Sequence, residues 1–120
     1  MQPDVTSYNS AINACAQKGD VNRAEQCLKW MEEVHVPPNV TSYNIVINAC
    51  SQNSNIERAE QWFKWMEEAH VQPNVKSWST VINICAQNSD RKRAEQWFKC
   101  MEEAHVQPND DASLTALRTH

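Results

Sequence analysis

Three Glu-x-x-His motifs are the side chains in this sequence whose types and spacing come nearest to a metal site. They are Glu32 with His35, Glu67 with His70, and Glu102 with His105. Motifs of this kind bind di-iron centres when facing helices bring two of them to one point. Copies at a fixed interval lie on elements stacked side by side, about 10 Å apart, so successive histidines would not share a metal. We therefore expect no metal site and interpret the histidines as helix-end residues.

Cysteine, a candidate nucleophile or zinc ligand, recurs at Cys15, Cys50 and Cys85. The five cysteines form no C-x-x-C pair and no signal peptide is recognisable, so neither a zinc site nor a secreted disulfide framework is indicated. The sequence also lacks a nucleophile elbow, a glycine-rich phosphate loop and an H-E-x-x-H motif. We predict buried free thiols, no catalytic activity, no cofactor and no small-molecule substrate.

These residues recur because the sequence is an internal repeat. Segments beginning at Val5, Val40 and Val75 align without gaps, which gives a period of 35 residues. A fixed period of about 20 to 50 residues is typical of solenoids, in which each unit buries its apolar face against its neighbours. We divide the chain into repeats at 5–39, 40–74 and 75–109, with 1–4 as the tail of a preceding repeat and 110–120 as a partial helix or C-terminal cap.

Each repeat carries two helical patterns, called helix A and helix B. In the first repeat the apolar positions of the two patterns are Tyr8, Ala11, Ile12 and Cys15, then Val21, Ala24, Leu28 and Met31. This spacing is that of amphipathic helices. A turn around Gly19 separates them, and a Pro-Asn pair ends helix B. We predict Thr6, Thr41 and Ser77 as N-caps of helix A and an all-α helix-turn-helix array, as one glycine in 120 residues also indicates.

Charge and aromatic residues differ between the two helices. The chain has 15 acidic and 11 basic residues, a net charge of −4, and most acids lie on helix B, which we interpret as a solvated outer face. Helix A carries only Lys18 and Lys76, so the inner face is nearly neutral. Trp78 is predicted in the core, and Trp62 and Trp97 between repeats. Trp30 and Trp65 either pack between repeats or form an exposed patch that docks a protein. No apolar run is long enough for a membrane span.

The 35-residue unit V-T-S-Y-N…I-N-A-C…A-E…M-E-E…P-N resembles the pentatricopeptide repeat family over residues 2–109. The tetratricopeptide repeat has a different period and a W…L-G…Y…P pattern that is absent here. The resemblance implies a right-handed α-solenoid that binds single-stranded RNA, one base per repeat. In that family the fifth and last residues of a repeat contact the base edge, and the second packs against neighbouring bases.

Carried over to this sequence, the resemblance implies two sets of RNA-binding residues. The base-reading pairs are Asn9 with Asn39, Asn44 with Asn74, and Ser79 with Asn109; the stacking or phosphate-contacting residues are Thr6, Thr41 and Lys76. The implied triplet is 5′-pyrimidine-pyrimidine-A-3′. An amide offers donors and an acceptor that can match a pyrimidine edge, whereas a small hydroxyl leaves room for a purine. The same asparagines are also typical helix caps, and the two interpretations stay open together.

The resemblance further implies an adaptor in organellar RNA processing, stability or translation, in the mitochondrion or plastid. This chain carries no Arg-rich transit segment of its own. Where the family has a glycine after helix B, this sequence has His35, His70 and His105, which we expect to adopt a left-handed conformation. The alternative function is a protein-binding scaffold of tetratricopeptide-like type that uses the acidic, Trp-bearing face of helix B.

Overall fold

The computed structural model describes residues 4–104. In this range the chain forms six α-helices of 13 residues each, and no strand. They are α1 (Val5–Gln17), α2 (Val21–Glu33), α3 (Val40–Gln52), α4 (Ile56–Glu68), α5 (Val75–Gln87) and α6 (Arg91–Glu103). The all-α prediction is therefore confirmed. The division into 35-residue repeats stays a prediction, because its third unit runs beyond residue 104.

The six helices form three antiparallel hairpins stacked in one direction. Each odd helix packs on the even helix that follows it, and the odd helices α1, α3 and α5 also pack on one another in sequence. The even helices α2 and α4 contact the odd helix of the next hairpin. The resulting shape is elongated, 51 × 27 × 23 Å, as expected for a helical-repeat solenoid that grows by adding hairpins.

The odd helices begin two or three residues earlier in the sequence than predicted. Their N-caps are Asp4, Asn39 and Asn74, each in extended geometry, with the side chain accepting from the backbone N–H three residues later. The predicted caps Thr6 and Thr41 are wrong, because both lie inside the first turn. Ser77 is also not a cap. It is the third helical residue, and its hydroxyl completes a capping box with Asn74.

The even helices end as the histidines predict. His35 and His70 have φ angles of 66° and 62°. At the first of these ends the N–H of His35 donates to Glu32 and that of Val36 to Met31, at 3.0 and 2.9 Å, which is a Schellman motif. The left-handed conformation predicted for these two residues is confirmed, whereas His105 lies outside the described residues. Gly19, Ser54 and Ser89 take the same conformation at the ends of the odd helices.

The core runs without interruption along the stack. The largest fully buried side chains include Ile12, Leu28, Ile47, Phe63 and Ile82. Trp78, Cys50 and Cys85 are buried as predicted, while Cys15 is half-buried. None of the described helices is long and apolar enough to span a bilayer.

Two acids of the even helices are buried, which contradicts the predicted solvated face. Glu25 and Glu60 are only 5% and 8% exposed. Glu25 accepts from Arg58 Nε at 2.6 Å and Nη2 at 3.2 Å, and from Trp62 Nε1 in the next hairpin. Glu60 accepts in the same way from Arg93 and from Trp97 Nε1 of the following hairpin. We call each Glu-Arg-Trp set an inter-hairpin clamp.

The clamps explain why these carboxylates tolerate burial. Each one keeps a bidentate guanidinium partner and an indole N–H, so its oxygens do not lose hydrogen bonds on leaving water. The hydrogen bond that Arg93 donates to Glu60 raises the pKa of Arg93, and the bond that Arg58 donates to Glu25 raises the pKa of Arg58. Each glutamate therefore links one even helix to the next through its side chain. The prediction that Trp62 and Trp97 lie between repeats is confirmed by these bonds.

Candidate functional site

The structure brings the first two predicted base-reading pairs together. Asn9 lies on α1 and Asn44 on α3, each next to the asparagine that caps the following odd helix. Asn9 Nδ2 donates to Asn39 Oδ1 at 3.2 Å, and Asn44 Nδ2 donates to Asn74 Oδ1 at 3.1 Å. Because both bonds cross from one hairpin to the next, each pair is assembled by the stacking of two hairpins.

A serine with no predicted role in RNA binding joins each pair. Ser42 and Ser77, both fully buried, are the third residues of α3 and α5. Ser42 Oγ donates to Asn9 Oδ1, and Ser77 Oγ donates to Asn44 Oδ1. The serine at the third repeat position could have been found in the sequence, because it recurs at Ser7, Ser42 and Ser77.

The second pair opens into a cavity on the odd-helix side, which we call the inner cavity. Its volume is about 380 Å³, and it is lined by four of the predicted RNA-binding residues, Thr41, Asn44, Asn74 and Lys76. Thr41 and Lys76 are the second residues of successive odd helices. The resemblance implies Asn44 and Asn74 as one base-reading pair and Thr41 and Lys76 as stacking or phosphate-contacting residues of successive repeats, and all four line this one cavity.

The rest of the inner cavity is neutral and polar. Four further amide side chains line it, from Asn13, Gln17, Asn48 and Gln52. None of its ten lining residues is acidic, and Lys76 is its one cation. A polyanion meets no like charge on these walls. The predicted near-neutral inner face is therefore found at this cavity.

The remaining predicted site residues are not brought together in the same way. Ser79 is largely buried on α5, and its hydroxyl donates to the backbone oxygen of Lys76 at 3.3 Å. Its predicted partner Asn109 lies outside the described residues, so the third pair has no described geometry. Thr6 is exposed on α1.

The outer face differs from the predicted two-tryptophan patch. Trp30 is 58% exposed. Trp65 instead packs edge-on against Trp62 at 4.8 Å, with the Arg58 guanidinium 5.6 Å from its ring centre. Trp65 therefore packs against Arg58 and Trp62 of the inter-hairpin clamp, and Trp30 is the exposed tryptophan of the two. Among residues 4–104, no three histidine, cysteine, aspartate or glutamate side chains are grouped to hold a metal ion.

Helical hairpins that stack at a 35-residue period, with paired polar residues on the odd-helix side, define a helical-repeat protein. A model described as the PPR repeat family matches residues 3–52 and 38–87, and a model of the PPR repeat matches residues 76–106. These matches cover most of the chain, so the protein belongs to the pentatricopeptide repeat family. No curated protein matches the chain.

Solved structures show the same architecture. The crystal structure of the pentatricopeptide repeat protein PPR10 from maize superimposes with a TM-score of 0.83 and 26% identity, over 91% of this chain and 16% of that chain. PPR10 in complex with an 18-nt psaJ RNA element gives 0.83 and 22%, over 90% of this chain and 16% of that one.

A second relative shares the fold at lower identity. The PPR domain of Arabidopsis thaliana protein-only RNase P 1, in complex with tRNA, gives a TM-score of 0.82 and 13% identity, over 99% of this chain and 61% of that chain. The chain thus spans about a sixth of PPR10 and under two thirds of the RNase P chain. These likenesses confirm the helical-repeat solenoid.

Proposed function

We propose that this chain binds single-stranded RNA along its odd-helix face and reads one base per repeat, without catalysing a reaction. The observation that carries the proposal is the inner cavity, where Thr41, Asn44, Asn74 and Lys76 line one space of about 380 Å³. The proposed order is 5′-pyrimidine-pyrimidine-A-3′, with Asn9 and Asn39 at the first base and Ser79 and Asn109 at the third.

In this proposal the base of the second nucleotide enters between the second residues of α3 and α5. Its flat faces lie against Thr41 and the alkyl chain of Lys76, and its edge meets the amides of Asn44 and Asn74. The Lys76 ammonium pairs with a neighbouring phosphate, and the absence of acids from the cavity walls leaves this pairing unopposed. Unstacked bases are what such proteins recognise, since their edges are then accessible.

The organellar role belongs to the same proposal. Membership of the family, together with the maize relative, supports an adaptor in RNA processing, stability or translation in the mitochondrion or plastid. PPR10 and the PPR domain of protein-only RNase P 1 are both solved with RNA bound. This chain spans 16% of PPR10. We therefore propose for it RNA binding by a repeat array and carry over no other activity of PPR10.

The test is the base preference of Asn74→Asp at the second repeat. An aspartate still has one oxygen to accept from the helix N-terminus, and its second oxygen replaces the donor Nδ2 of Asn74 with an acceptor. The base preference should therefore move from cytosine toward uracil by about tenfold. Competition titrations at fixed salt, with oligoribonucleotides that differ at this one base, measure the change.

The matched control is Asn55→Asp. Asn55 caps α4 by accepting from Arg58 N at 3.1 Å, and it does not line the inner cavity. This variant has the same change of charge and the same capping role, so its ratio of cytosine to uracil affinity should equal that of the wild type. Equal ratios in all three proteins would refute the assignment of Asn74.

Protein binding through the even-helix face is an outcome of the same experiments. Asn44→Ala should abolish RNA binding, and Glu67→Ala, a change on exposed outer surface, should leave it intact. The opposite pattern, with a protein partner lost on changing Glu67 and no RNA bound by the wild type, would favour the scaffold function.

A further inference from the structure

We propose that Ser42 and Ser77 are positioning residues that fix which atoms of the asparagine pairs face an RNA base. Through them each pair presents N–H donors, which select cytosine over uracil. The inference rests on the proposed RNA binding, and it gives a role to two serines that the proposed function does not use.

The orientation of the capping asparagine is set by its helix. The backbone N–H of Ser77 donates to Asn74 Oδ1 at 3.1 Å, and the equivalent bond from Ser42 to Asn39 is also 3.1 Å. A helix N-terminus offers only donors, so the amide oxygen must point at the helix. Nδ2 of the capping asparagine therefore points away from it.

The second asparagine of each pair is fixed by the first. Asn74 Oδ1 is an acceptor, so the atom of Asn44 that faces it at 3.1 Å must be the donor Nδ2. The oxygen of Asn44 then faces Ser77 Oγ, which donates to it. A flipped amide would place two oxygens in contact. Asn44 is only 7% exposed and Ser77 is fully buried, so solvent does not take the place of this hydroxyl.

The serine hydroxyl has its proton available for this bond. Its oxygen already accepts from the Asn74 backbone N–H at 3.2 Å. It lies between the two amide oxygens and approaches Asn44 Oδ1 more closely than Asn74 Oδ1, which is 3.1 Å away. A continuous chain of hydrogen bonds thus links the backbone at the N-terminus of α5 to the Asn44 side chain of α3.

The hydrogen-bonding groups that remain free on Asn44 and Asn74 are mainly N–H donors. Within residues 4–104, Asn74 Nδ2 has no partner, and Asn44 Nδ2 uses one of its two N–H groups. Both asparagines line the inner cavity. Cytosine offers adjacent acceptors at O2 and N3, whereas uracil has an N–H at position 3 that would face these donors. The network therefore accounts for a cytosine preference in physical terms.

Ser77→Ala tests the inference in the full chain. Without the hydroxyl, Asn44 Oδ1 loses its donor, so the amide can turn away from Asn74 and let this oxygen accept from a base, which gives uracil a partner. The ratio of cytosine to uracil affinity at the second base should fall by about three- to tenfold, the value of one neutral hydrogen bond. Ser7→Ala is the matched control. Ser7 has the same repeat position but is exposed, and its N–H donates to Asp4, so the ratio should not change.

A measurement on the RNA-free protein separates this inference from the proposed function. The side-chain amide resonances of Asn44 in a ¹⁵N-labelled sample should shift in Ser77→Ala and stay unchanged in Ser7→Ala. If the wild type binds no oligoribonucleotide, the proposed function fails, while the resonances still report on the network.

Two results would overturn the inference: an unchanged base ratio in a folded Ser77→Ala, or unchanged Asn44 resonances. If Ser77→Ala does not fold, Ser77→Cys replaces it, because a thiol of similar size is a weak donor. The same loss of cytosine preference is then expected, and a wild-type ratio in the cysteine variant would count against the serine.

Discussion

The inter-hairpin clamp makes a sharp prediction because the sequence contains its own control. Glu60 and Glu95 occupy the same position in successive repeats. The Glu60 side chain is 11% exposed and bonds Arg93 and Trp97. The Glu95 side chain is 50% exposed and, among residues 4–104, pairs only with Arg91 on its own helix, at 3.0 Å. Glutamine at each position removes the same charge and keeps the same size. The difference between the two variants is therefore the effect of the clamp.

The size of the effect follows from the bonds that are lost. Glu60 accepts through two oxygens, whereas glutamine has only one. An N–H group of Arg93 or Trp97 would therefore face the NH₂ group of the glutamine, which is also a donor. A hydrogen bond to a charged group contributes about 1.5 to 3 kcal/mol. The Arg93 side chain is 37% exposed and can be rehydrated, which keeps the loss below the roughly 3 to 5 kcal/mol of a fully buried pair. We expect Glu60→Gln to cost about 2 kcal/mol and Glu95→Gln at most about 0.5 kcal/mol.

Urea unfolding followed by far-UV circular dichroism measures both variants without relying on the tryptophan that is perturbed. With a slope of about 1.5 kcal/mol/M, the midpoint should fall by about 1.3 M for Glu60→Gln and by less than about 0.4 M for Glu95→Gln. Glu25→Gln should match Glu60→Gln, since Glu25 has equivalent partners in Arg58 and Trp62 of the next hairpin. Equal midpoints for the Glu60 and Glu95 variants would refute the clamp as a source of stability.

Two further predictions concern the backbone and the thiols. His70→Gly should raise the urea midpoint by the equivalent of about 1 kcal/mol, because glycine adopts the φ of 62° without a Cβ clash; a lower midpoint would contradict this. Burial raises the pKa of the Cys50 thiol to about 12, so about one thiol in 10⁴ is ionised at pH 8. Exposed Cys100 should therefore be alkylated long before Cys50, as followed by mass spectrometry, and equal rates would show that Cys50 is not buried.

The helices and their ends are predictable from the sequence because their causes are local. Apolar residues at i, i+3, i+4 and i+7 favour an amphipathic helix, and this pattern lies within the helix itself. The chain reverses its direction directly after α2 and α4, and His35 and His70, which stand where the family has glycine, are the left-handed residues of these turns. The N-caps are the exception, because capping residue types lie close together in the sequence. Thr41 follows the cap Asn39 by two residues and Ser77 follows the cap Asn74 by three, and all four are residue types that cap helices.

The buried acids were not predictable from a single repeat. Glu25 and Arg58 are 33 residues apart, and Glu25 and Trp62 are 37 apart, so the contact exists only after two hairpins have stacked. A charge on an amphipathic helix is normally solvated, and nothing within α2 indicates otherwise. The signal that could have found the clamp is the shared spacing, since Trp97 also lies 37 residues after Glu60.

The capping and base-reading interpretations of the asparagines are compatible, because they use different atoms. Capping needs the Oδ1 of Asn74, which accepts from Ser77 N at 3.1 Å. Reading would need Nδ2, which the cap directs away from the helix. An aspartate at this position also caps well and is favoured by the helix dipole, yet it presents an acceptor where asparagine presents a donor. A residue at this cap can therefore change the base that is selected while the helix start stays intact, which is what an array of interchangeable repeats requires.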